Sequence, residues 1–342
     1  MLATFRYSKI IAALAVTLSA TSPAAHAEQI APKVLVITMF ADEAKPWLDG
    51  RIFETKVSVP GLSRSYPEVA CNAAGLCMMT TDMGYANAAS SVSAVIYSGL
   101  FNLRQSYILI AGIGGVDPND GTLGSAHWAR FAVDSGLRHA IDPRQIPADW
   151  PDGVLGLGSE KPGKKPVWGT GTEVYRLDET LVSKVLALTV SVELADSDEA
   201  KAYRAKYTAA PANAAPFVSI CDTLSGDTWW YGSMIAKSMG NWMTLLTGGA
   251  GNYCTTQMED NASLTALKRG AVSGLLLFER IALLRTASNF DREPDGKMPA
   301  ETVNDDSGGL GLATTNAYRV GSRVADVIIG NWSEWQDGVP RD

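Results

Sequence analysis

The chain has 342 residues, of which 46% are hydrophobic and 19% are charged, and its formal net charge is −7. This composition is ordinary for a globular protein, and the mildly acidic charge comes without any dense cluster of lysines and arginines. A nucleic-acid or anionic-lipid partner is therefore not expected, and a neutral small molecule is the more natural ligand.

The first 27 residues have the pattern of a secretory signal peptide. Arg6 and Lys9 give a positive start, residues 10–18 form a short apolar core, and residues 25–27 read A-H-A, a cleavage signal. An N-terminal membrane anchor is the alternative, but the apolar run is shorter than the ~20 residues that cross a bilayer. We expect a periplasmic or secreted protein that does not itself span a membrane.

Buried strands alternate with turns and helices through the first half of the chain. Apolar runs predict strands at residues 33–40, 76–81 and 107–111. An acidic first turn opens a helix at residue 41, and a second helix is predicted to run from residue 84 to residue 96. This alternation is typical of an α/β sheet with helices on both faces.

Residues 138–171 are rich in Pro, Gly and Lys, and we interpret them as a long loop or an insertion in a single domain spanning residues 28–342. Such a loop would cap a site or meet another subunit. Beyond it, the patterns predict helices at residues 173–207, 233–246, 259–273 and 320–332, and strands at residues 217–221, 253–258 and 274–286.

The four cysteines are an even number in a chain expected to be exported. Cys71 and Cys77 flank a hairpin-like turn, and we expect them to be bridged. Cys221 and Cys254 would form a second bridge if their strands are neighbours, and two free buried thiols are the alternative. No metal site is expected, because the chain has no Cys-x-x-Cys and only two histidines follow the signal peptide.

Two short segments of the first half are candidates for ligand contacts. Glu43 follows the first strand, where the carboxyl edge of a parallel sheet faces the usual ligand crevice. The alternative, which is the commoner case, is that Glu43 is simply an acidic residue in the first turn of a helix. Gly112–Gly115 follow the third strand and would let backbone N–H groups approach a ligand, although a tight turn is the commoner reason for them.

The second half carries a more specific combination. Glu259 can accept two vicinal sugar hydroxyls, and Met258 can cover the apolar face of the sugar. Trp229 and Trp230 follow a turn and offer a stacking surface for a flat base, with core packing as the alternative. Because adjacent side chains usually point in different directions, at most one of the two would stack. Asn289, placed after the next strand, could hydrogen-bond a purine edge. Together these residues indicate a nucleoside site.

These segments resemble the methylthioadenosine/adenosylhomocysteine nucleosidases of the nucleoside phosphorylase/nucleosidase superfamily. The similar places are ITMFADEA, GYANAA, the turn at residues 111–115, LSGDTWW, and QMEDNA followed by RTASN. Over nearly all of the chain after the signal peptide, the sequence resembles the purine nucleoside permease family, in KVLVITMFADEAKPWL, TDMGYANAASSVSAVIYSGL, ILIAGIGGVDP, DTLSGDTWW and YCTTQMEDNA. The resemblance implies a three-layer α/β/α sandwich with a central mixed sheet.

The resemblance also implies a role for each candidate residue. Glu43 would orient or deprotonate the attacking water and Asn289 would assist the leaving base as the second catalytic residue. The substrate-binding set would be Gly114, Trp229, Met258, Glu259 and Asn289. Relatives are dimers, trimers or hexamers in which a neighbour's loop often closes the site. We therefore expect that a homo-oligomer can form, with residues 138–142 as the candidate loop.

The chain departs from the nucleosidase pattern in one place. Asn289 stands where the nucleosidases carry an aspartate that protonates purine N7, and an amide cannot supply that proton. This favours inosine or guanosine over adenosine, or binding with weak catalysis. Asp291 is a substitute acid only if its side chain turns towards the same face of the strand.

No clear phosphate site follows the first strand, where Glu43 would repel an anion. Three arginines, Arg130, Arg138 and Arg285, are candidates for holding phosphate, and none can be assigned. The interpretation is a purine nucleoside-binding protein that cleaves the N-glycosidic bond, with hydrolysis favoured over phosphorolysis and phosphate a co-substrate only in the second case. No other cofactor is expected.

Two other interpretations remain. One is a non-catalytic protein that captures nucleosides for uptake, which would need a membrane transporter as its partner. The other is an exported protein that has kept the fold and lost the ligand. The Met258-Glu259 pair beside a plausible base site argues against the second of these.

Overall fold

The computed structural model describes residues 28–341, so the predicted signal peptide lies outside the described residues. Its strands are β1 (Val34–Thr38), β2 (Thr55–Ser58), β3 (Glu68–Cys71), β4 (Leu76–Thr80), β5 (Tyr107–Val116), β6 (Ala126–Trp128), β7 (Phe131–Asp134), β8 (His139–Ala140), β9 (Val154–Leu155), β10 (Val174–Arg176), β11 (Val218–Ile220), β12 (Asp222–Ser225), β13 (Tyr253–Gln257) and β14 (Ile281–Phe290). Its α-helices are α1 (Ala41–Gly50), α2 (Tyr85–Tyr97), α3 (Glu179–Thr189), α4 (Asp198–Arg204), α5 (Ala210–Asn213), α6 (Ser233–Thr247), α7 (Asp260–Val272), α8 (Pro299–Thr302), α9 (Gly309–Gly330) and α10 (Trp332–Trp335).

Twelve of the strands form one mixed sheet, in the order β10-β7-β12-β13-β5-β1-β4-β3-β2, with β14 beside β5 and β6, and β11 beside β6. The central strands β1, β4, β5 and β14 pair in parallel, whereas β13 runs antiparallel to β5. Every residue of β1 is buried, as expected for a strand covered on both faces. Helices α1 and α3 each pack against α9, and α2 packs on α7. The predicted α/β class with a mixed sheet is confirmed.

Gly112–Gly115 do not form the turn that their composition suggested. They lie inside β5, which β13 joins at the pair Thr256 and Gly115. A Cβ on Gly114 would lie 2.3 Å from the carbonyl oxygen of Thr256, and a Cβ on Gly112 would lie 2.0 Å from Cε of Met39. These positions need glycine because neighbouring groups approach the strand closely from both sides.

Three element boundaries in the second half differ from the predictions. The helix predicted at residues 173–207 is divided into β10, α3 and α4, with Asp178 and Ser197 capping the two helices. The strand predicted at residues 274–286 begins only at Ile281 and continues to Phe290. The last long helix begins at Gly309, eleven residues before its predicted start.

Both predicted disulfides are present. Cys71 and Cys77 face each other across β3 and β4, and Cys221 bonds to Cys254, beside the pairing of β12 with β13. The segment at residues 138–171 contains only the small β8–β9 ladder and one 3₁₀ turn at Pro143–Gln145. Within residues 28–341, no helix has the length and apolar character needed to cross a bilayer.

Candidate functional site

A cavity of about 210 Å³ lies where β1, β5, β13 and β14 end. Its wall contains the six residues to which the resemblance gave a catalytic or substrate-binding role, listed here in chain order: Glu43, Gly114, Trp229, Met258, Glu259 and Asn289. The structure thus brings together six residues that are spread over almost 250 positions of the chain. They converge because β1 and β14 pair with β5 in parallel, while the antiparallel β13 ends beside Gly114 and Gly115 of the same strand.

Glu43 lies in the first turn of α1 and is buried. Its Oε2 accepts a hydrogen bond from the backbone N–H of Met39 at 2.6 Å, and its Oε1 accepts one from Ile113 at 2.8 Å. Burial raises the pKa of Glu43 to about 7, against the opposing effect of Arg285. A fixed carboxyl group that titrates near neutrality suits a general base.

Glu259 lies at the junction of β13 and α7, just before the first residue of the helix. Its Oε1 accepts a hydrogen bond from the backbone N–H of Gly84 at 3.2 Å, at the start of α2. Its Oε2 lies 3.4 Å from Nη2 of Arg285. Burial raises the pKa of Glu259, and Arg285 acts in the opposite direction.

Arg285 is the cation of the cavity, although its side chain is only 1% exposed. Nε and Nη2 donate to the two carboxylate oxygens of Asp260 at 3.1 and 2.5 Å, and Nη1 donates to the backbone oxygen of Ile113 at 2.8 Å. Burial acts to lower the pKa of Arg285, but the carboxylates of Asp260 and Glu259 outweigh it and raise the pKa.

Gln257 fixes the position of Glu259. Its side-chain oxygen accepts hydrogen bonds from the backbone N–H groups of Glu259 and Asp260, both at 2.8 Å. Its amide nitrogen donates to the hydroxyl groups of Ser225 and Thr223 on β12. The end of β13 is therefore tied to β12, and the first free amides of α7 are satisfied.

The apolar part of the wall comes from aromatic and methionine side chains. Trp229 is 49% exposed and stacks on Tyr231, with ring centroids 5.9 Å apart and planes 2° apart. Trp230 is buried and donates to the hydroxyl group of Tyr253. Both tryptophans line the cavity, Trp229 with a half-exposed ring and Trp230 with a buried one. Met39, Phe40, Met83 and Met258 also belong to this wall.

Asn289 lies near the end of β14, next to a register shift in the pairing with β5. Its Nδ2 donates to the backbone oxygen of Phe290 at 2.9 Å, and its Oδ1 lies 2.9 Å from the hydroxyl oxygen of Ser288. Asp291 does not line the cavity. Its carboxylate is held by Tyr253 and by Arg292, which opposes its use as a substitute acid.

None of the three candidate phosphate-binding arginines presents a free cation to the cavity. Arg130 pairs with Asp222 and Arg138 contacts Met239, and neither lines the cavity. Arg285 lines it but is engaged on both edges. Two carboxylates, those of Glu43 and Glu259, face the same space, so an anion would be repelled.

One cluster of metal-ligating side chains occurs among residues 28–341, formed by His127, Cys221 and Cys254. The two sulfur atoms are joined in the disulfide, and burial lowers the pKa of His127 to about 4. The cluster lies outside the cavity wall. It has no part in the chemistry considered below.

Sequence reasoning did not identify Asp260 and Gln257 as parts of this arrangement. Asp260 follows Glu259 directly and Gln257 lies two residues before it, but nothing local reveals that Asp260 binds an arginine 25 residues away. The backbone N–H groups of Ile113 and Gly84 were missed for the same reason, since only the folded chain brings them to a carboxylate.

Comparisons with known proteins show the family of the chain and its fold. A model of a family described as purine nucleoside permease matches residues 31–340. The chain belongs to the purine nucleoside permease family. A relative in Schizosaccharomyces pombe, described as a probable purine nucleoside permease, is 36% identical over 319 residues, which cover 89% of this chain and 91% of that protein. A purine nucleoside permease of Candida albicans is 34% identical over 309 residues, covering 89% of this chain and 76% of that protein.

Solved structures show that this family member has a nucleosidase-like fold. Futalosine hydrolase of Helicobacter pylori aligns with a TM-score of 0.52 and 12% identity, covering 86% of this chain and 98% of that chain. The 5'-methylthioadenosine/S-adenosylhomocysteine nucleosidase of the same organism, in complex with butyl-thio-DADMe-Immucillin-A, aligns with a TM-score of 0.51 and 13% identity, covering 87% and 100%. At such identity the likeness concerns the fold alone.

Proposed function

We propose that this protein binds purine nucleosides in the cavity and cleaves their N-glycosidic bond by hydrolysis. The observation that carries the proposal is the pair of buried carboxylates, Glu43 and Glu259, in one cavity beside Arg285. One of these groups is suited to hold a sugar and the other to act on water. The family description, purine nucleoside permease, supports a purine nucleoside as the ligand.

In the bound state, Glu259 accepts hydrogen bonds from the 2′ and 3′ hydroxyls of the ribose. Each carboxylate oxygen can accept more than one hydrogen bond, so the bond from Gly84 does not prevent this. Met258 covers the apolar side of the sugar, and Trp229 flanks the base. Asn289 donates an amide hydrogen to the N7/O6 edge of the purine, and Gly114 allows close approach of the backbone.

In the chemical step, the oxygen of a water molecule forms a bond to C1′ while the C1′–N9 bond breaks. The electron pair of the broken bond goes to the purine, through a transition state with oxocarbenium character. Glu43 takes a proton from the water, and the purine gains a proton from solvent. The products are ribose and free base, so that all atoms of nucleoside and water are accounted for.

Two features support hydrolysis over phosphorolysis. Glu43 and Glu259 give the cavity an anionic character that disfavours phosphate, and the guanidinium of Arg285 is occupied by Asp260. Water is neutral and needs only a base and room to approach C1′. If the protein is a phosphorylase after all, phosphate is its co-substrate, and no other cofactor is proposed.

Nucleoside capture without turnover is the second candidate function. It is favoured by Asn289, which cannot protonate a leaving purine, and by the word permease in the family description. Because no helix of residues 28–341 suits a membrane span, uptake would require a separate membrane transporter. In either case we place the protein in the periplasm or outside the cell, in line with its two disulfides, and allow for a homo-oligomer.

The test is incubation of the purified protein, starting at residue 28, with inosine, guanosine and adenosine, with and without phosphate. Chromatography of the products separates the possibilities. Free base and ribose without phosphate support hydrolysis. Base that appears only with phosphate makes the protein a phosphorylase, and nucleoside that is retained but unchanged over hours supports capture.

A further inference from the structure

Asp260 is a fully buried carboxylate directly after the sugar-binding candidate Glu259. Within the described chain, the side-chain oxygens of Asp260 accept hydrogen bonds from Arg285, at 3.1 and 2.5 Å. This is the two-point geometry in which a guanidinium is most firmly oriented. The pair is conformationally fixed because it is shielded from water and has two bonds rather than one.

The orientation of Arg285 decides which of its edges meets each carboxylate. The edge with Nε and Nη2 faces Asp260, while Nη1 donates to the backbone oxygen of Ile113. The backbone N–H of the same Ile113 donates to Glu43. Ile113 therefore links Glu43 to Arg285. Among residues 28–341, the ion-pair partners of Arg285 are Glu259 and Asp260, not Glu43.

The side chains of Glu43 and Arg285 lie close to each other. A methyl group added at Gly112 would lie 2.7 Å from Oε1 of Glu43 and 2.8 Å from Nη1 of Arg285, so both groups border the same point. A guanidinium released from its present partner would need only a short movement to pair with Glu43. An opposite charge at that distance stabilises the ionised carboxylate and weakens it as a base.

We propose that Asp260 is a positioning residue that holds Arg285 by its Nε and Nη2 edge and so prevents it from pairing with Glu43. Glu43 then stays basic enough to take a proton. The charged and titratable groups that face Glu43 in this arrangement are Glu259 and Arg285, with Asp260 behind the arginine. The role in turnover rests on the proposed hydrolysis, but the effect on proton affinity does not.

The test is a carboxyl-carbon NMR titration of protein labelled with ¹³C at the side-chain carboxyl of glutamate. The Glu43 signal is the one that Glu43→Gln removes. The wild-type signal should titrate near pH 7, and Asp260→Asn should lower that midpoint by about one pH unit, because Arg285 becomes free to pair with Glu43. The double variant Asp260→Asn/Arg285→Gln should raise the midpoint above the wild-type value, because it removes the cation.

Opposite movements in the single and double variants are the signature of an effect through Arg285. The control is Asp222→Asn, which removes another buried carboxylate paired with an arginine, Arg130, outside the cavity and should leave the Glu43 midpoint unchanged. If Asp260→Asn does not fold, Asp260→Ser takes its place, since a small side chain with room for water also removes the carboxylate. A midpoint that stays at the wild-type value or rises in the single variant overturns the proposal.

The titration needs no turnover, so the two proposals fail separately. A lowered midpoint in a protein that cleaves no nucleoside would leave the positioning role intact and overturn the hydrolysis. Cleavage of nucleosides by a protein whose Asp260→Asn midpoint does not fall would do the reverse.

Discussion

Oε2 of Glu259 lies 3.4 Å from Nη2 of Arg285, and the two side chains are 6% and 1% exposed. Because Arg285 is also held by Asp260, the approach to Glu259 is a side contact rather than a two-point ion pair. Glu259 therefore keeps capacity to accept hydrogen bonds from a ligand, which a carboxylate engaged in a full fork would lack.

Glu259→Ala should weaken inosine binding by about 100-fold, since two charge-assisted hydrogen bonds to the ribose are lost, each worth roughly 1.5 kcal/mol. Binding of free hypoxanthine should change far less, because the base contacts other residues. Calorimetric titration with both ligands checks this. Equal losses for nucleoside and base would show that Glu259 does not hold the sugar.

Turnover should depend on the ionisation of Glu43. Its raised pKa of about 7 predicts that kcat/KM rises with pH on an acid limb centred near 7 and is level above it. The base has to be ionised to accept a proton, so the neutral form is inactive. An acid limb centred near the usual glutamate value, or activity that falls as the pH rises through 7, would contradict this assignment.

Ionisation of Glu43 should also lower the free energy of unfolding. The pKa of Glu43 is raised in the folded state, so that between the ordinary glutamate pKa of 4.5 and about 7 the folded protein holds a proton that the unfolded chain has lost. The free energy of unfolding should therefore fall across that window as pH rises. The free energy of unfolding of Glu43→Gln, taken relative to that of wild type, should increase by on the order of 1–3 kcal/mol from pH 4.5 to pH 8. Urea unfolding of both proteins at both pH values measures this increase. A difference between variant and wild type that is the same at pH 4.5 and pH 8 would count against the raised pKa of Glu43.

Asn289→Asp should change base preference. A carboxyl group at this position can protonate purine N7, which an amide cannot do, so adenosine turnover should increase relative to inosine turnover by roughly tenfold or more. Competition between the two nucleosides, followed by chromatography, gives the ratio directly. Asn289→Gln is the matched control, because it keeps the amide, and an unchanged ratio in both variants would place Asn289 away from the purine edge.

Much of the site was predictable because its residues stand at the ends of strands or at the starts of helices. Glu43 follows β1, which is parallel to β5 and ends beside its middle, and Glu259 follows β13, which is antiparallel to β5 and ends beside the same part of it from the opposite direction. The burial of β1 was also predictable, because a strand in a sheet covered on both faces is a continuous run of hydrophobic residues.

The remainder depends on contacts between distant segments. The residues around Gly112 in the sequence do not show that Met39, Glu43 and Arg285 will lie against it. The sequence therefore could not distinguish a glycine inside β5 from a glycine in a turn. The helix predicted at residues 173–207 was divided because Asp178 and Ser197 cap two separate helices, and a hydrophobic period does not register such caps. The partnership of Asp260 with Arg285 likewise exists only after β14 is placed beside β5.

The most direct test of the account compares wild type with Glu43→Gln on inosine in phosphate-free buffer, with binding measured in parallel. If Glu43 activates water, wild type should release ribose and hypoxanthine, the variant should release at least 100-fold less, and inosine affinity should be unchanged within about threefold. Product from the variant at the wild-type rate, with unchanged binding, would contradict the assignment of Glu43 as the base that acts on water.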